Sequence, residues 1–556
     1  MARITVDPIT RIEGHLRIDV EVSGTKVTNA WSSAQAFRGI ETIMRGKDPR
    51  SAWAMTQRFC GVCTTTHALC SIRTVEDAYN VEVPVNAQMM RNLVMTMQCL
   101  QDYIVHFYHL TALDWVDIVS ALKADPNKAG MIAQSLSNWS SNSVNEMKNA
   151  QDKLKAFVGT GNLGIYSSGY WGHPDMRLTP EVNLIGFAHY LQALEYQRKI
   201  AQAVAIIGSK NPHIQNLCVG GVSTAIDMDS IAALNMERIA WIRQLLDEVA
   251  AFVREVYIPD VLAIGGAYKE WFNLGSCVNN YIAAPDIPMD AKSSKFLVQG
   301  GIIIDGKFRE VTSWKDEELR KGITESSLHS WYKEDGPLHP FDGAQTPNYT
   351  GFEDKGKYSW AKSPRFNGLV MQTGPVSQIL SAYMAGNESV KKYVDMVTSK
   401  LGLTLNHLNS TMGRNAARAV RALVMVDSAY TCLETFLDNY AKGDHEYVNN
   451  VETPMGECEG VGFNEAPRGM LSHWIKIKDK VISNYSAVVP STWDAGPRDE
   501  KGVQGPYEQA LMTSRVLEPE KPLEVIRTIH SFDPCIACAV HTVDPNGKEI
   551  VSVKVR

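Results

Sequence analysis

Residues 533–541 read Asp533-Pro534-Cys535-Ile536-Ala537-Cys538-Ala539-Val540-His541, and residues 58–67 read Arg58-Phe59-Cys60-Gly61-Val62-Cys63-Thr64-Thr65-Thr66-His67. Each stretch holds one Cys-x-x-Cys pair. The i, i+3 spacing lets both sulfurs of a pair point at one ion. Thiolates are soft ligands, and an all-sulfur set selects soft or borderline metals. Four thiols in two such pairs suggest one metal site. If the pairs share it, the chain must bring its two ends together, which argues for one large closed body rather than beads on a linker.

Other polar clusters carry less on residue type alone. Asp7-Pro8-Ile9-Thr10-Arg11-Ile12-Glu13-Gly14-His15 is a dense polar knot inside strand-like sequence, where Glu13 and Arg11 read as a surface ion pair. Gln98, Asp102 and His106 form an i, i+4 stripe that reads as a solvated helix face. Six further cysteines (70, 99, 218, 277, 432 and 458) are scattered without paired spacing and read as buried core thiols. They form neither a disulfide framework nor an iron–sulfur ligand run.

The chain has 556 residues, a net charge of −6, 44% hydrophobic and 21% charged residues, an ordinary composition that can bury a large core. The mild acidity makes no case for nucleic acid. There is no run of about 18 apolar residues to span a membrane, and Met-Ala-Arg-Ile-Thr-Val-Asp does not open like a signal peptide.

Residues 3–38 read as β, with strict alternation in Leu16–Val22 and a turn at Ser23-Gly24. Residues 85–260 and 377–441 read as the helical core. Within it lie a helix over 93–107, one over 184–207, and one over 231–256 that Asp229 or Ser230 caps and Pro259 stops. Residues 260–375 read as a β and loop insertion with an Asp305-Gly306 hairpin. Residues 455–500, rich in Gly and Pro, read as irregular loops, the class of segment that often carries function. The last strand-like alternation is Ile550–Val555. The expected fold class is α+β, mainly helical, with a central long-helix bundle, a small N-terminal sheet and peripheral insertions.

Taken together, the motifs resemble the large subunit of nickel–iron hydrogenases over essentially the whole chain. They are Arg11-Ile12-Glu13-Gly14-His15, Arg38-Gly39-x-Glu41, Arg58-x-Cys60-Gly61-Val62-Cys63-x-x-x-His67, Glu465-Ala466-Pro467-Arg468-Gly469 and Asp533-Pro534-Cys535-x-x-Cys538-x-x-His541. One Cys-x-x-Cys is weak evidence, whereas five motifs in order are specific. The resemblance implies that residues 1–541 form one unit that splits H2 into protons and electrons. Cys60 and Cys535 would be terminal ligands to nickel, and Cys63 and Cys538 would bridge it to an iron carrying carbonyl and cyanide. Position 535 is Cys, so the chain resembles the ordinary rather than the selenocysteine type.

Splitting so weak an acid needs an electrophile and a base. The resemblance offers the Cys535 sulfur or Arg468 as base, Asp102 and Asp533 as neighbours of that arginine, and Glu13 as first proton relay. It implies that His67 orients the Cys63 sulfur. Pro467, Arg468, Leu471, Pro490 and Ser491 would form the pocket for the diatomic ligands. Glu41, the Ala487 carbonyl and His541 match a separate magnesium or iron site.

The resemblance also implies partners. These are an iron–sulfur small subunit, a maturation protease and nickel-insertion proteins, and a membrane cytochrome b or c-type cytochrome as acceptor. Family members of the membrane-bound uptake type work on the periplasmic side of the inner membrane. They are exported with the small subunit, and their precursor is cytoplasmic. The start of this chain fits that arrangement and a cytoplasmic enzyme equally. Family precursors are cut after the residue matching His541, so Thr542–Arg556 reads as a cleavable extension and the chain as the unprocessed form. Met371-Gln372-Thr373-Gly374-Pro375, Thr111 and Cys70 depart from the usual pattern without touching the ligands.

Three rivals stand beside this reading. A four-cysteine zinc site normally spaces its pairs by roughly 10–20 residues, not by nearly the whole chain. An H2 sensor would share fold and ligands but usually lacks the tail. The related quinone-reductase subunit of respiratory complex I lacks the four cysteines.

Overall fold

Alternation in Leu16–Val22 buries Leu16, Ile18, Val20 and Val22 against the body of the protein. The computed structural model describes residues 2–539, except the side chains of 538 and 539. In it the segment is the middle strand of an antiparallel sheet, β1 (Ala2–Val6), β2 (Leu16–Ser23) and β3 (Lys26–Ala34), in that order. Ile4 lies opposite Val20, and Ile18 opposite Ser32. The strand-like run Ile550–Val555 and the rest of the extension lie outside the described residues.

The helical core is built from α1 (Thr64–Tyr79), α2 (Val85–Ile104), α3 (Pro180–Gly208), α4 (Met236–Phe252) and α5 (Thr411–Ala441). Every residue of α2 except Val85 and Gln101 is buried, and α2 packs on both α3 and α5. Its polar residues must therefore find partners inside. Arg91 donates to both oxygens of Glu76 at 3.0 and 2.8 Å, Asn92 to the Pro288 carbonyl at 2.7 Å, and Gln98 to Asp102 at 2.8 Å. The stripe expected to be solvated is thus interior, with Gln98, Asp102 and His106 at most 2% exposed. Only Val85 and Gln101 reach solvent from this helix, so amphipathic reasoning fails there.

At 31 residues α5 spans about 46 Å. Ser410 caps it by accepting from the Gly413 N–H at 3.0 Å. Ala416, Ala417, Ala419 and Ala422 are fully buried, and their small side chains let neighbouring elements approach closely. Arg414, Arg418 and Arg421 recur at i, i+4, i+7 and are likewise buried.

Two expectations are corrected. The helix expected over 231–256 begins at Met236, capped by Asn235, while Ile231 is 86% exposed ahead of it. Pro259 does not end it: the chain passes through a π turn at Val253–Tyr257 into Ile258–Ala267. The π turn lies directly before the proline, where a regular α-helix would be kinked or broken by its ring and missing N–H. Secondly, residues 455–500 are not mainly loop. They form an antiparallel meander, β4 (Glu457–Ala466), β5 (Gly469–Lys478) and β6 (Val481–Val488). Gly460 and Gly462 are there for close approach rather than for turning. A Cβ at 460 would meet the Thr74 carbonyl at 2.3 Å, and one at 462 the Cys70 carbonyl at 2.5 Å, both on α1. The Asp305-Gly306 hairpin forms as expected, with both residues at positive φ between strands Gly300–Ile304 and Lys307–Val311. No described helix is long and apolar enough to cross a membrane.

The chain then runs through α6 (Leu523–His530) to α7 (Ile536–Ala539). Gly462→Ala is expected to destabilise the protein by about 1–3 kcal/mol, because backbone rather than a movable side chain opposes the new methyl. Gly336→Ala, with nothing within 4 Å, serves as the control. Denaturant unfolding of both variants checks this, and equal midpoints would contradict the packing.

Candidate metal centre

The two ends of the chain meet at their sulfurs. Cys60 follows a short helical turn and stands in extended conformation just before α1. The N–H groups of Val62 and Cys63 point at its Sγ, at 3.2 and 3.1 Å, and donors aimed at sulfur favour thiolate. Cys535 lies at the start of α7, with its Sγ 3.2 Å from that of Cys60. The ligand atoms of Cys60, Cys63 and Cys535 all lie within 4.8 Å of one another, and all three residues are buried. The Cys538 side chain and His541 lie outside the described residues.

The N-terminal knot holds this junction. Residue 13 pairs with 535 as a parallel bridge: Glu13 N–H donates to the Pro534 carbonyl at 3.3 Å, and Ile536 N–H to the Glu13 carbonyl at 2.7 Å. The Glu13 carboxylate accepts from Ala537 N–H at 2.9 Å and lies 3.3 Å from Cys535 Sγ. Gly14, at φ +84°, is obligatory here, since a Cβ would stand 2.4 Å from the Ala537 nitrogen. Glu13 is therefore not paired with Arg11. Arg11 reaches Asp114 at 2.5 Å, and Asp114 in turn holds His530 at 2.6 Å, three residues before Asp533. Arg38 was legible only as part of a motif. Its guanidinium donates to the carbonyls of Arg58 (2.9 Å), Phe59 and Ala537 (2.8 Å), so it ties both cysteine segments together.

Above the sulfurs sits Arg468, at the two-residue tip of the β4–β5 hairpin, where Ala466 pairs with Gly469. Its Nη1 lies 3.2 Å from Asp102 and its Nη2 3.0 Å from Asp533, while Nε donates to the Asp533 carbonyl at 3.1 Å. Burial opposes its charge, but Asp533, Cys535 and Asp102 outweigh that and hold it firmly cationic. Burial pushes Asp102 up to about 7 against the pull of Arg468, and raises Asp533 in the same way. Glu13 also rises to about 7, chiefly by burial, with the Cys60 sulfur adding to it. His67 is lowered to about 4 by burial. It stacks on Phe59, with ring centroids 4.9 Å apart.

One small cavity is lined by Cys63, His67, Arg468, Leu471, Pro490, Ser491 and Cys535. Ser491 Oγ also accepts from Cys535 N–H at 3.0 Å. Pro467 is buried at the hairpin tip beside Arg468 but is not part of that lining, which Thr66, Ala466 and Val489 complete. These three are apolar or weakly polar residues with no spacing to betray them. The structure also brings Glu41 to Ala487, whose N–H donates to the carboxylate at 2.8 Å. It adds Lys362, unforeseen, at 3.6 Å from Glu41 and 3.3 Å from Glu325.

Converging thiols in a small pocket, beside carboxylates and a guanidinium able to manage charge, are an arrangement compatible with the metal site of a metalloenzyme. Residues 38–541 match the family model described as nickel-dependent hydrogenase. The chain is 50% identical over 563 residues to the hydrogenase-2 large chain of Escherichia coli K12, covering 100% of this chain and 99% of that one. It is 44% identical to the uptake hydrogenase large subunit of Bradyrhizobium diazoefficiens, covering 100% and 97%. Among solved structures, the Ni-Fe-Se hydrogenase from D. vulgaris Hildenborough superposes with a TM-score of 0.80 at 31% identity, covering 97% of this chain and 100% of that one. The chain belongs to the nickel-dependent hydrogenase family, and its activity is that of an oxidoreductase acting on H2. The structural-zinc reading is set aside.

The hairpin bearing Arg468 begins from Glu465, which accepts from Ala284 N–H at 2.7 Å and from Gln378. Burial raises its pKa from 4.5 to about 8. The folded protein then holds a proton that the unfolded chain has released, so stability falls as pH rises through that window. Glu465→Gln is expected to flatten the decline in unfolding midpoint between about pH 5 and about pH 8. An unchanged slope would show that Glu465 is already ionised across the range.

Proposed function

We propose that Cys60, Cys63, Cys535 and Cys538 would hold a nickel–iron centre, with Cys60 and Cys535 serving nickel and Cys63 and Cys538 serving both metals. The observation that carries this is the convergence of three sulfurs from opposite chain ends within 4.8 Å, beneath Arg468. An all-thiolate donor set with N–H groups aimed at one sulfur fits a soft metal. When bound, the centre supplies the electrophile that polarises H2 and takes up its electrons.

The chain's own residues do the rest. Arg468, held by Asp102 and Asp533, places a fixed positive charge over the sulfurs. As a cation it positions and stabilises rather than accepting a proton, which leaves the Cys535 sulfur as the nearer base. From Cys535 Sγ a proton has 3.3 Å to travel to Glu13 Oε2, within hydrogen-bond range for sulfur. Glu13, tuned to about 7 by burial, can both accept it and release it. Leu471 and Pro490 give the cavity apolar walls. Arg468 and Ser491 would donate to cyanide ligands on iron, and His67 would steady the Cys63 side.

Glu41, the Ala487 carbonyl and His541 are read as a magnesium or iron site, with Lys362 balancing Glu41 beforehand. Six scattered cysteines offer no second cluster site, so electrons leave to an iron–sulfur small subunit, then to a membrane or c-type cytochrome. The extension Thr542–Arg556 is the substrate of a maturation protease that follows nickel insertion. The mature pair works on the periplasmic side of the inner membrane, in the direction of H2 uptake.

Elemental analysis of the processed heterodimer is expected to give about one nickel per chain, with iron. Cys63→Ser should abolish H2 turnover along with bound nickel; turnover at the parental rate in that variant would sink the ligand assignment. Arg468→Lys should lower turnover about 100-fold or more while metal content stays near parental. Parallel losses of metal and rate would instead make Arg468 an assembly residue.

A further inference from the structure

From the cavity wall that includes Cys63, a run of hydrogen bonds leads away into the C-terminal sheet. His67 Nδ1 lies 3.1 Å from His473 Nε2, His473 Nδ1 lies 2.6 Å from Tyr485 Oη, and Tyr485 Oη lies 2.8 Å from Ser71 Oγ. All four residues are at most 1% exposed. The elements dictate this run. His67 and Ser71 stand one turn apart on α1. His473 and Tyr485 are diagonal neighbours on β5 and β6, since His473 pairs with Ala487 and Ile475 with Tyr485.

Only one hydrogen fits between two facing ring nitrogens, and only one between a ring nitrogen and a phenol oxygen. The circuit therefore runs in one of two senses. In the first, Tyr485 donates to Ser71, His473 Nδ1–H donates to Tyr485, and His67 Nδ1–H donates to His473. That leaves a lone pair on His67 Nε2. It also strands the Ser71 hydroxyl hydrogen, because Ser71 Oγ has no other hydrogen-bond partner among the described residues. In the second, Ser71 donates to Tyr485, Tyr485 donates to His473 Nδ1, and His473 Nε2–H donates to His67 Nδ1. The one hydrogen left over is then on His67 Nε2, at the end of the run that lines the cavity with Cys63 and Cys535, whose sulfurs can accept it, whereas the first sense leaves the buried Ser71 hydroxyl with no acceptor.

We infer that Tyr485 and Ser71, acting through His473, are positioning residues that lock His67 in the tautomer carrying its hydrogen on Nε2, the atom through which the ring can act on the cavity. His67 thus offers the metal centre a donor rather than a lone pair. Donors to ligand sulfur withdraw charge from it and shift the potential of the bound metal. This rests on the nickel–iron reading above. It adds to that reading a residue, Tyr485, whose nearest route to the sulfurs passes through two other side chains.

The test uses the processed heterodimer with Tyr485→Phe, which keeps the ring and removes the donor. Nickel and iron content, the infrared bands of diatomic ligands on iron, and H2 oxidation are measured together. Metal content is expected to match the parent, the bands to shift, and turnover to fall about tenfold or more. Parental bands in the metal-loaded Tyr485→Phe protein would overturn the relay, whatever its stability. If that variant fails to load metal, Ser71→Ala, which leaves both rings and the phenol in place, is read by the same criteria. A parent dimer without nickel or without such bands would overturn the nickel–iron reading itself, and the relay with it, before any variant is compared.

Discussion

The structure depends on bringing residues 13 and 14 backbone to backbone against residues 534–537. The approach is so close that Gly14 leaves 2.4 Å for an atom it does not have. Around this seam, three sets of contacts of different kinds act in concert. Backbone bridging sets the register of Glu13 against Cys535. Arg38 binds carbonyls from both cysteine segments. The Arg11–Asp114–His530 chain fixes the helix that feeds the C-terminal turn. A planar guanidinium with several fixed donors suits such clamping better than a lysine would.

The same logic recurs one layer out. Arg527, fully buried on α6, pairs with Asp175 at 2.7 Å and lies 4.2 Å from the ring centre of Trp115 and 5.0 Å from those of Tyr268 and Trp271. Arg418, on α5, holds the Ser531 carbonyl at 3.2 Å. Taking such cations out of water costs several kcal/mol each before their partners offset it. These groups are better understood as fixing where the last helix and the Cys535 turn must lie than as sources of net stability. The pocket beneath Arg468 inherits that rigidity, as a preorganised site requires.

The N-terminal sheet, the long helices and the Asp-Gly hairpin were legible because each has its own local period or turn chemistry. The cysteines were legible because their spacing is chemical. What failed did so for identifiable reasons. Gly460 and Gly462 look like turn residues, yet they mark where α1 presses on a strand. Asp102 sits on a helix that is polar by sequence and interior by position, so periodicity points the wrong way. Ile231 fits the helical pattern but precedes the Asn235 cap. His473 and Tyr485 are single polar residues in a β segment, and only the strand register reveals that they meet. Family resemblance supplied Glu13 and Arg468, whose burial and partners no local pattern encodes.

The two-residue tip that carries Arg468 has one more consequence. Side chains alternate along β4 and β5, so adding or removing a single residue in either strand would turn the following side chains to the opposite face. The arginine's place is therefore digital: it is over the sulfurs or it is not, with no graded displacement between. Length variation among descendants of this sequence should be excluded from residues 457–478 and fall in exposed turns such as those near Gly161 or Gly351, where the chain can grow without moving anything inside.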